Sequence, residues 1–224
     1  MPEMTREEID EAMEKGEGLY DLYTYQKLLP YQVDKAVEKG EELATLYEHQ
    51  RLFPDDVDVA IEKGEALDIL YEHHELLPYQ IVDAMAIEAA LGDLYARQEL
   101  SPDEVDKAIE KGEALFDLYG FQCLLPYQID KAMEKGETLG VLYLEQDLSP
   151  KQVDGAIEKG EALDYLYRFQ QLSQKQIDKA IEKGEKLDIL HEYQKLSPER
   201  IGKGEKREGK GEEKIVYRPK LVEK

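Results

Sequence analysis

The sequence predicts an all-α protein, a right-handed superhelical array of about eight 24-residue helical hairpins followed by a disordered C-terminal tail. Three ladders carry this reading. Gln26, Gln50, Gln98, Gln122, Gln146, Gln170 and Gln194 lie on one 24-residue grid, with His74 in the remaining slot. Tyr23, Tyr47, Tyr71, Tyr95, Tyr119, Tyr143 and Tyr167 follow the same grid, and so do Gly16, Gly40, Gly64, Gly112, Gly136, Gly160 and Gly184. No insertion breaks the period between Thr5 and Leu196, and an unbroken short period signals stacked units that bury one another.

One copy, Leu148 to Gln170, shows how each element arises. Ser149 suits a helix cap, Pro150 the first helical position, and Gln152, three residues after the cap, completes a capping box. Val153, Ala156 and Ile157 recur at helical spacing, and Lys159-Gly160 reads as a helix end, since glycine takes up the left-handed conformation readily. The first helix is therefore about ten residues long. A second carries Leu163, Leu166, Tyr167 and Gln170 and ends near Leu172, before the next cap at Ser173. The same apolar residues keep a spacing near 3.5 across Gly160, which would also suit one helix of about 20 residues. Seven glycines at one grid position favour the break, because glycine inside a helix costs up to about 1 kcal/mol relative to alanine.

Taken along the chain, the first unit opens on a Thr5/Glu8 capping box and an acidic first turn that suits the helix dipole. Leu-Pro-Tyr-Gln then recurs every 48 residues, at Leu29, Leu77 and Leu125, so a pair of hairpins forms a higher-order unit. The fourth unit departs most. Val82 replaces the grid aspartate and Glu88 the grid glycine, within an alanine-rich run. Glutamate is a good helix former, so the helix is expected to run on through Glu88. After Leu196 the grid fails. Ser197-Pro198 starts an aborted ninth helix, and glycines among lysines and glutamates follow. We therefore divide the chain into a repeat domain, 1–201, and a tail, 202–224.

The formal net charge is −22. Eight Lys/Arg against five Glu from Gly202 onward give the tail +3, leaving −25 on residues 1–201. Such a domain repels nucleic-acid backbones and attracts basic proteins. The Lys- and Glu-rich composition resembles that of thermophile proteins. A single cysteine, no signal region at the N-terminus and no long apolar run suggest a soluble, cytoplasmic protein with no membrane association.

Candidate chemistry is sparse. Asp10, Asp34, Asp58, Asp106, Asp130, Asp154 and Asp178 form a ladder. Successive units place its members about 10 Å apart, too far to share an ion, so they are expected to pair with lysines or a tyrosine hydroxyl. His49, His73 and His74 lack the companions of a zinc site. The Tyr and Gln ladders are expected to fasten unit to unit by bonding turn carbonyls and amides of the next unit. Cys123, among Phe121, Leu124 and Leu125, reads as a small buried hydrophobe. No catalytic, cofactor or metal residue emerges, and no enzyme is expected. Tyr31, Tyr79 and Tyr127, just past a turn and ahead of the apolar stripe, are the candidate partner-binding row. In the tail, Lys206, Arg207, Lys210, Lys214 and Arg218 are candidates for phosphate contact.

The unit resembles alpha-solenoid repeats in general, although 24 residues is shorter than the tetratricopeptide unit. The order LDILYEHHELL then PYQIVDAM is also similar to the N-terminal helical motif of type II secretion and type IV pilus ATPases. The arginine and glycines with which that family grips a cyclic dinucleotide have no counterpart, so the resemblance implies no ligand here. The sequence thus points to a non-enzymatic scaffold or adaptor for a basic protein partner. The alternative is a ribosome- or nucleoprotein-associated factor, or a nucleic-acid mimic, whose tail touches phosphate.

Overall fold

A computed structural model describes residues 3–194 apart from residue 185. The tail and the aborted ninth helix lie outside the described residues, and so do the candidate phosphate contacts in the tail. Among the described residues sixteen helices, two per unit, alternate in length between ten and seven residues. The ten-residue helices are α1 (Arg6–Lys15), α3 (Pro30–Lys39), α5 (Pro54–Lys63), α7 (Pro78–Ile87), α9 (Pro102–Lys111), α11 (Pro126–Lys135), α13 (Pro150–Lys159) and α15 (Gln174–Lys183). The seven-residue helices are α2 (Leu19–Tyr25), α4 (Leu43–His49), α6 (Leu67–His73), α8 (Leu91–Arg97), α10 (Leu115–Phe121), α12 (Leu139–Glu145), α14 (Leu163–Phe169) and α16 (Leu187–Tyr193). No helix continues through a grid glycine, so the hairpin reading holds over the single long helix.

Each ten-residue helix starts as its sequence dictates. The side chain of the residue three past the cap returns to the cap N–H, as Gln152 Oε1 does to Ser149 N at 2.8 Å. Leu29, Leu77 and Leu125 have no capping oxygen of their own, and there the glutamine alone satisfies that donor, Gln32 Oε1 accepting from Leu29 N at 2.9 Å. Each ten-residue helix ends on a left-handed residue, Gly160 at φ 76° for example.

The turn at Glu88 corrects the expectation for the fourth unit. Helix α7 stops at Ile87, and Glu88 takes φ 63°, ψ 11°, close to Gly64 at φ 70°, ψ 17°. Stacking against units three and five overrides local helix propensity, and Lys111 of the following unit holds the Glu88 carboxylate at 2.7 Å. The hairpin also needs a second left-handed residue two positions later. It is Gly18 in the first unit, and Glu42, Ala66, Ala90, Ala114, Thr138, Ala162 and Lys186 thereafter, with φ between 48° and 54°.

Two layers result. Ten-residue helices pack on ten-residue helices of adjacent units, and seven-residue helices do likewise and more closely. That difference puts the short helices on the tighter side of the array. The core is continuous from Ile9 to Leu190. Alanines such as Ala36, Ala108 and Ala156 are fully buried in the long helices, where a larger side chain would push units apart. Among the described residues no helix is long and apolar enough to cross a membrane.

Candidate interaction surface

The surface is set by which polar side chains the array consumes as fasteners and which it leaves idle. The strongest fastener is the glutamine ladder of the short helices. Gln146 donates from Nε2 to Tyr119 O at 2.7 Å and Gln122 O at 2.9 Å, while its Oε1 accepts from Leu124 N at 3.0 Å. One buried amide thereby satisfies three backbone groups where the preceding short helix ends and the chain leaves it. The clamp reaches back to the preceding unit, not forward to the next as the sequence suggested. His74 keeps only part of it, its Nε2 donating to Tyr47 O at 2.8 Å; burial holds its pKa below the ordinary value.

A second glutamine ladder, invisible as such in the sequence, lies in the long helices. Besides serving the capping box, Gln152 donates to Pro126 O at 2.7 Å and to Asp130 Oδ1 at 2.9 Å, again in the preceding unit. Asp10, Asp58, Asp106 and Asp130 are its acceptors, which gives these grid aspartates a structural role as expected. Gln32 and Tyr31 both donate to Asp10 and lower its pKa. The lysine before each glycine makes a third fastener by reaching helix-end carbonyls of the preceding unit. Lys159 Nζ meets Met133 O at 2.7 Å and Lys111 Nζ meets Met85 O at 2.9 Å.

Two exceptions explain each other. Asp56 and Glu104 are carboxylates where the other units carry the glutamine or Glu8. Glu104 would face an aspartate at position 82, but that position is Val82, so two carboxylates never meet there. Asp56 has no such relief and faces Asp34. Burial, followed by the Asp34 contact, pushes the Asp56 carboxyl up to about 6.

The buried tyrosines do not fasten as expected. The hydroxyls of Tyr23, Tyr47, Tyr71, Tyr95, Tyr119 and Tyr143 are sealed from solvent and have no hydrogen-bond partner among the described residues. Desolvation pushes Tyr23, Tyr71, Tyr95, Tyr119 and Tyr143 up to about 12, and for all of these but Tyr71 a turn glutamate of the next unit adds to the effect, as Glu113 does for Tyr95. Their contribution is the ring, buried between units.

The candidate binding row behaves differently. Tyr31, Tyr79 and Tyr127 are 37%, 48% and 50% exposed, and their hydroxyls donate to Asp10, Asp58 and Asp106 of the preceding unit. The Asp106 bond raises the Tyr127 phenol, while burial and then the Asp58 bond raise Tyr79. Each ring therefore stands at a fixed orientation on the long-helix layer with about half its surface in water. The Arg6 guanidinium sits 4.8 Å from the Tyr31 centroid and its Nε donates to the Tyr31 hydroxyl at 2.9 Å.

Cys123 is exposed, which corrects its reading as a buried hydrophobe. It occupies the linker position held elsewhere by residues such as Lys27, Glu99 and Asp147, while the next residue, Leu124, points inward. Among the described residues no group of three His, Cys, Asp or Glu side chains is placed to hold a metal ion. No protein-family model, curated protein or solved structure matches the chain. The likeness to the secretion and pilus ATPase motif thus rests on apolar spacing alone, and function has to be argued from the surface.

Proposed function

We propose that the chain is a non-enzymatic repeat scaffold that binds a basic protein partner through its acidic, tyrosine-bearing surface. The observation that supports this best is the Tyr31, Tyr79, Tyr127 row. These are large rings held rigidly by aspartates, half exposed, and set among carboxylates on a frame whose interior is complete without them. Rigid aromatic anchors beside negative charge suit a partner that presents cationic side chains. Alternate units build the same helix with Asp55, Asp103 or Lys151 at that position, so folding does not require tyrosine there.

The test is capture of a partner by the full chain across a salt series, repeated with Tyr31→Gln, Tyr79→Gln and Tyr127→Gln combined. Glutamine is neutral and can still donate to the aspartates, so melting should shift by no more than a few degrees while capture is lost. Capture that persists unchanged through the triple variant would refute the tyrosine row as the contact. The alternative, phosphate contact through the basic tail, predicts instead that removing residues 202–224 abolishes capture and flattens a steep salt dependence.

A further inference from the structure

The two layers differ in what their exposed residues do. On the long helices, the repeated aspartates, lysines and N-terminal glutamines are engaged in the inter-unit bonds described above. On the short helices, the second, third, sixth and seventh positions change chemical class from unit to unit. The third position alone runs Asp21, Thr45, Ile69, Asp93, Asp117, Val141, Tyr165, Ile189, with Thr45 buried and Ile69, Val141 and Ile189 packed against the core. Their inter-unit contacts also vary, among them the Arg97–Glu72 ion pair at 3.4 Å and the Arg168 guanidinium 5.2 Å from the Tyr193 centroid. The stacking frame is constant and this face is not, so its differences are free to serve recognition.

From α10 to α16 the face carries aromatic and aliphatic side chains among carboxylates. Phe116 and Phe121 are 62% and 61% exposed; Leu144, Tyr165, Phe169 and Tyr193 continue the ribbon over the next three units. Tyr165 lies against the backbone of the preceding unit, its ring 3.1 Å from where a Cβ on Gly140 would stand, and pairs with Phe169 at 6.2 Å between centroids. At the start of the ribbon, Gly92 and Ala96 leave an open cleft between α8 and α10, lined also by Arg97, Asp117 and Phe121. The short helices α10, α12, α14 and α16 carry five carboxylates, Asp117, Glu145, Asp164, Asp188 and Glu192, against one guanidinium, Arg168. Exposed aromatic surface beside uncompensated negative charge calls for a ligand with apolar anchors and cationic side chains.

Spacing restricts its conformation. Packed helices repeat every 8–10 Å or so, and a polyproline II strand advances about 3.1 Å per residue with three residues per turn, or about 9.3 Å per turn. A segment in that conformation, running along the array, would present one side chain in three to each successive unit. We propose that the short-helix face from α8 to α16 is a docking groove for an extended, cationic segment of a partner protein, with apolar residues at every third position. This rests on the scaffold reading and adds to the tyrosine row a second contact face on the opposite layer.

The exposed Cys123, next in sequence to Phe121 but for Gln122, offers a place for an environment-sensitive fluorophore on the full chain. Three synthetic 12-residue peptides serve as probes: (Lys-Pro-Leu)4, (Lys-Pro-Gly)4 and (Glu-Pro-Leu)4. The lysine–leucine peptide should bind saturably at physiological salt, the lysine–glycine peptide at least tenfold more weakly, and the glutamate peptide not at all. Phe169→Ser with Tyr193→Ser should weaken the first peptide at least tenfold while leaving the chain folded with only a modest drop in melting temperature, since the residues are 40% and 44% exposed. Phe116→Ser is the second variant should that pair perturb folding. Combined Tyr31→Gln, Tyr79→Gln and Tyr127→Gln should leave peptide binding unchanged. Equal binding of both lysine peptides would mean simple charge attraction and overturn the groove. Insensitivity to the serine variants would overturn it too, and neither result touches partner capture by the tyrosine row. Displacement by a peptide of residues 214–224 with equal affinity, together with tighter binding to a chain ending at residue 201, would make the chain its own occupant and overturn the partner assignment.

Discussion

Replacing Asp56 by glutamine tests the account of the long-helix fasteners most directly. In the wild type this carboxyl is 4% exposed, caps Phe53 N at 2.8 Å and faces Asp34. Its folded pKa of about 6 lies above the ordinary 3.8, so the fold favours the protonated form. Stability is therefore fullest below about pH 4 and is lost as pH rises through about 6. A change of that size is worth up to about 3 kcal/mol, and solvent around the exposed Asp34 screens it to about 1–2. Glutamine removes the like charge and restores the donor that Gln32 and Gln152 supply to Asp10 and Asp130. Asp56→Gln should therefore gain about 2 kcal/mol at about pH 8, and less than about 1 at about pH 5, where the wild-type carboxyl is itself a donor. The measurement is urea unfolding followed by circular dichroism at both pH values, wild type against variant. The comparison between proteins matters because His74 contributes with the opposite sign. Its folded pKa lies below 6.5, so it costs stability as pH falls. A gain equal at both pH values, or a loss at the higher one, would refute the reading of Asp56.

Three further outcomes are expected. Gly160→Ala should cost about 1–2 kcal/mol, because φ 76° is strained for any residue with a Cβ; Ala162→Gly, at φ 49° in the same turn, should be neutral or gain up to about 1 in the same urea melts. Gln146→Leu leaves two carbonyls and one N–H buried without partners and should cost about 2–4 kcal/mol. A loss under about 1 there would mean the clamp is dispensable. Tyr95→Phe removes a hydroxyl with no partner and should change stability by less than about 1 kcal/mol, whereas a fastening role predicts a loss of about 2 or more by thermal or urea melting.

Much of this architecture is legible in the sequence because it depends on contacts local to one unit. The capping boxes, the proline starts and the glycine stops each involve residues within four positions of one another, and each appears where the pattern places it. Glu88 was misjudged because its conformation is fixed by neighbouring units, which a propensity argument does not see. The second left-handed position was missed for the opposite reason, since Ala66, Thr138 and Lys186 carry no sign of it. The dual use of Gln152 needed a partner 22 residues away, and the direction of the Gln146 clamp needed three dimensions. For the surface, the partial exposure of Tyr31, Tyr79 and Tyr127 follows from their place after a turn. The idle face of the short helices emerged only once the inter-unit bonds of the long helices were known.

Apart from the Arg6–Tyr31 contact, these inter-unit hydrogen bonds point the same way. The glutamines, the lysines and the exposed tyrosines of one unit donate to backbone or carboxylates of the unit before it. A chain leaving the ribosome exposes its N-terminal unit first, and that unit holds the acceptors already in place when the next hairpin arrives with the donors. Vectorial growth can therefore lock each hairpin onto a finished surface without waiting for the C-terminus. The same polarity makes the two ends unequal. Trimming hairpins from the C-terminus uncovers acceptors, whereas trimming from the N-terminus uncovers the donors of the next unit, so the two new ends offer water opposite hydrogen-bonding faces.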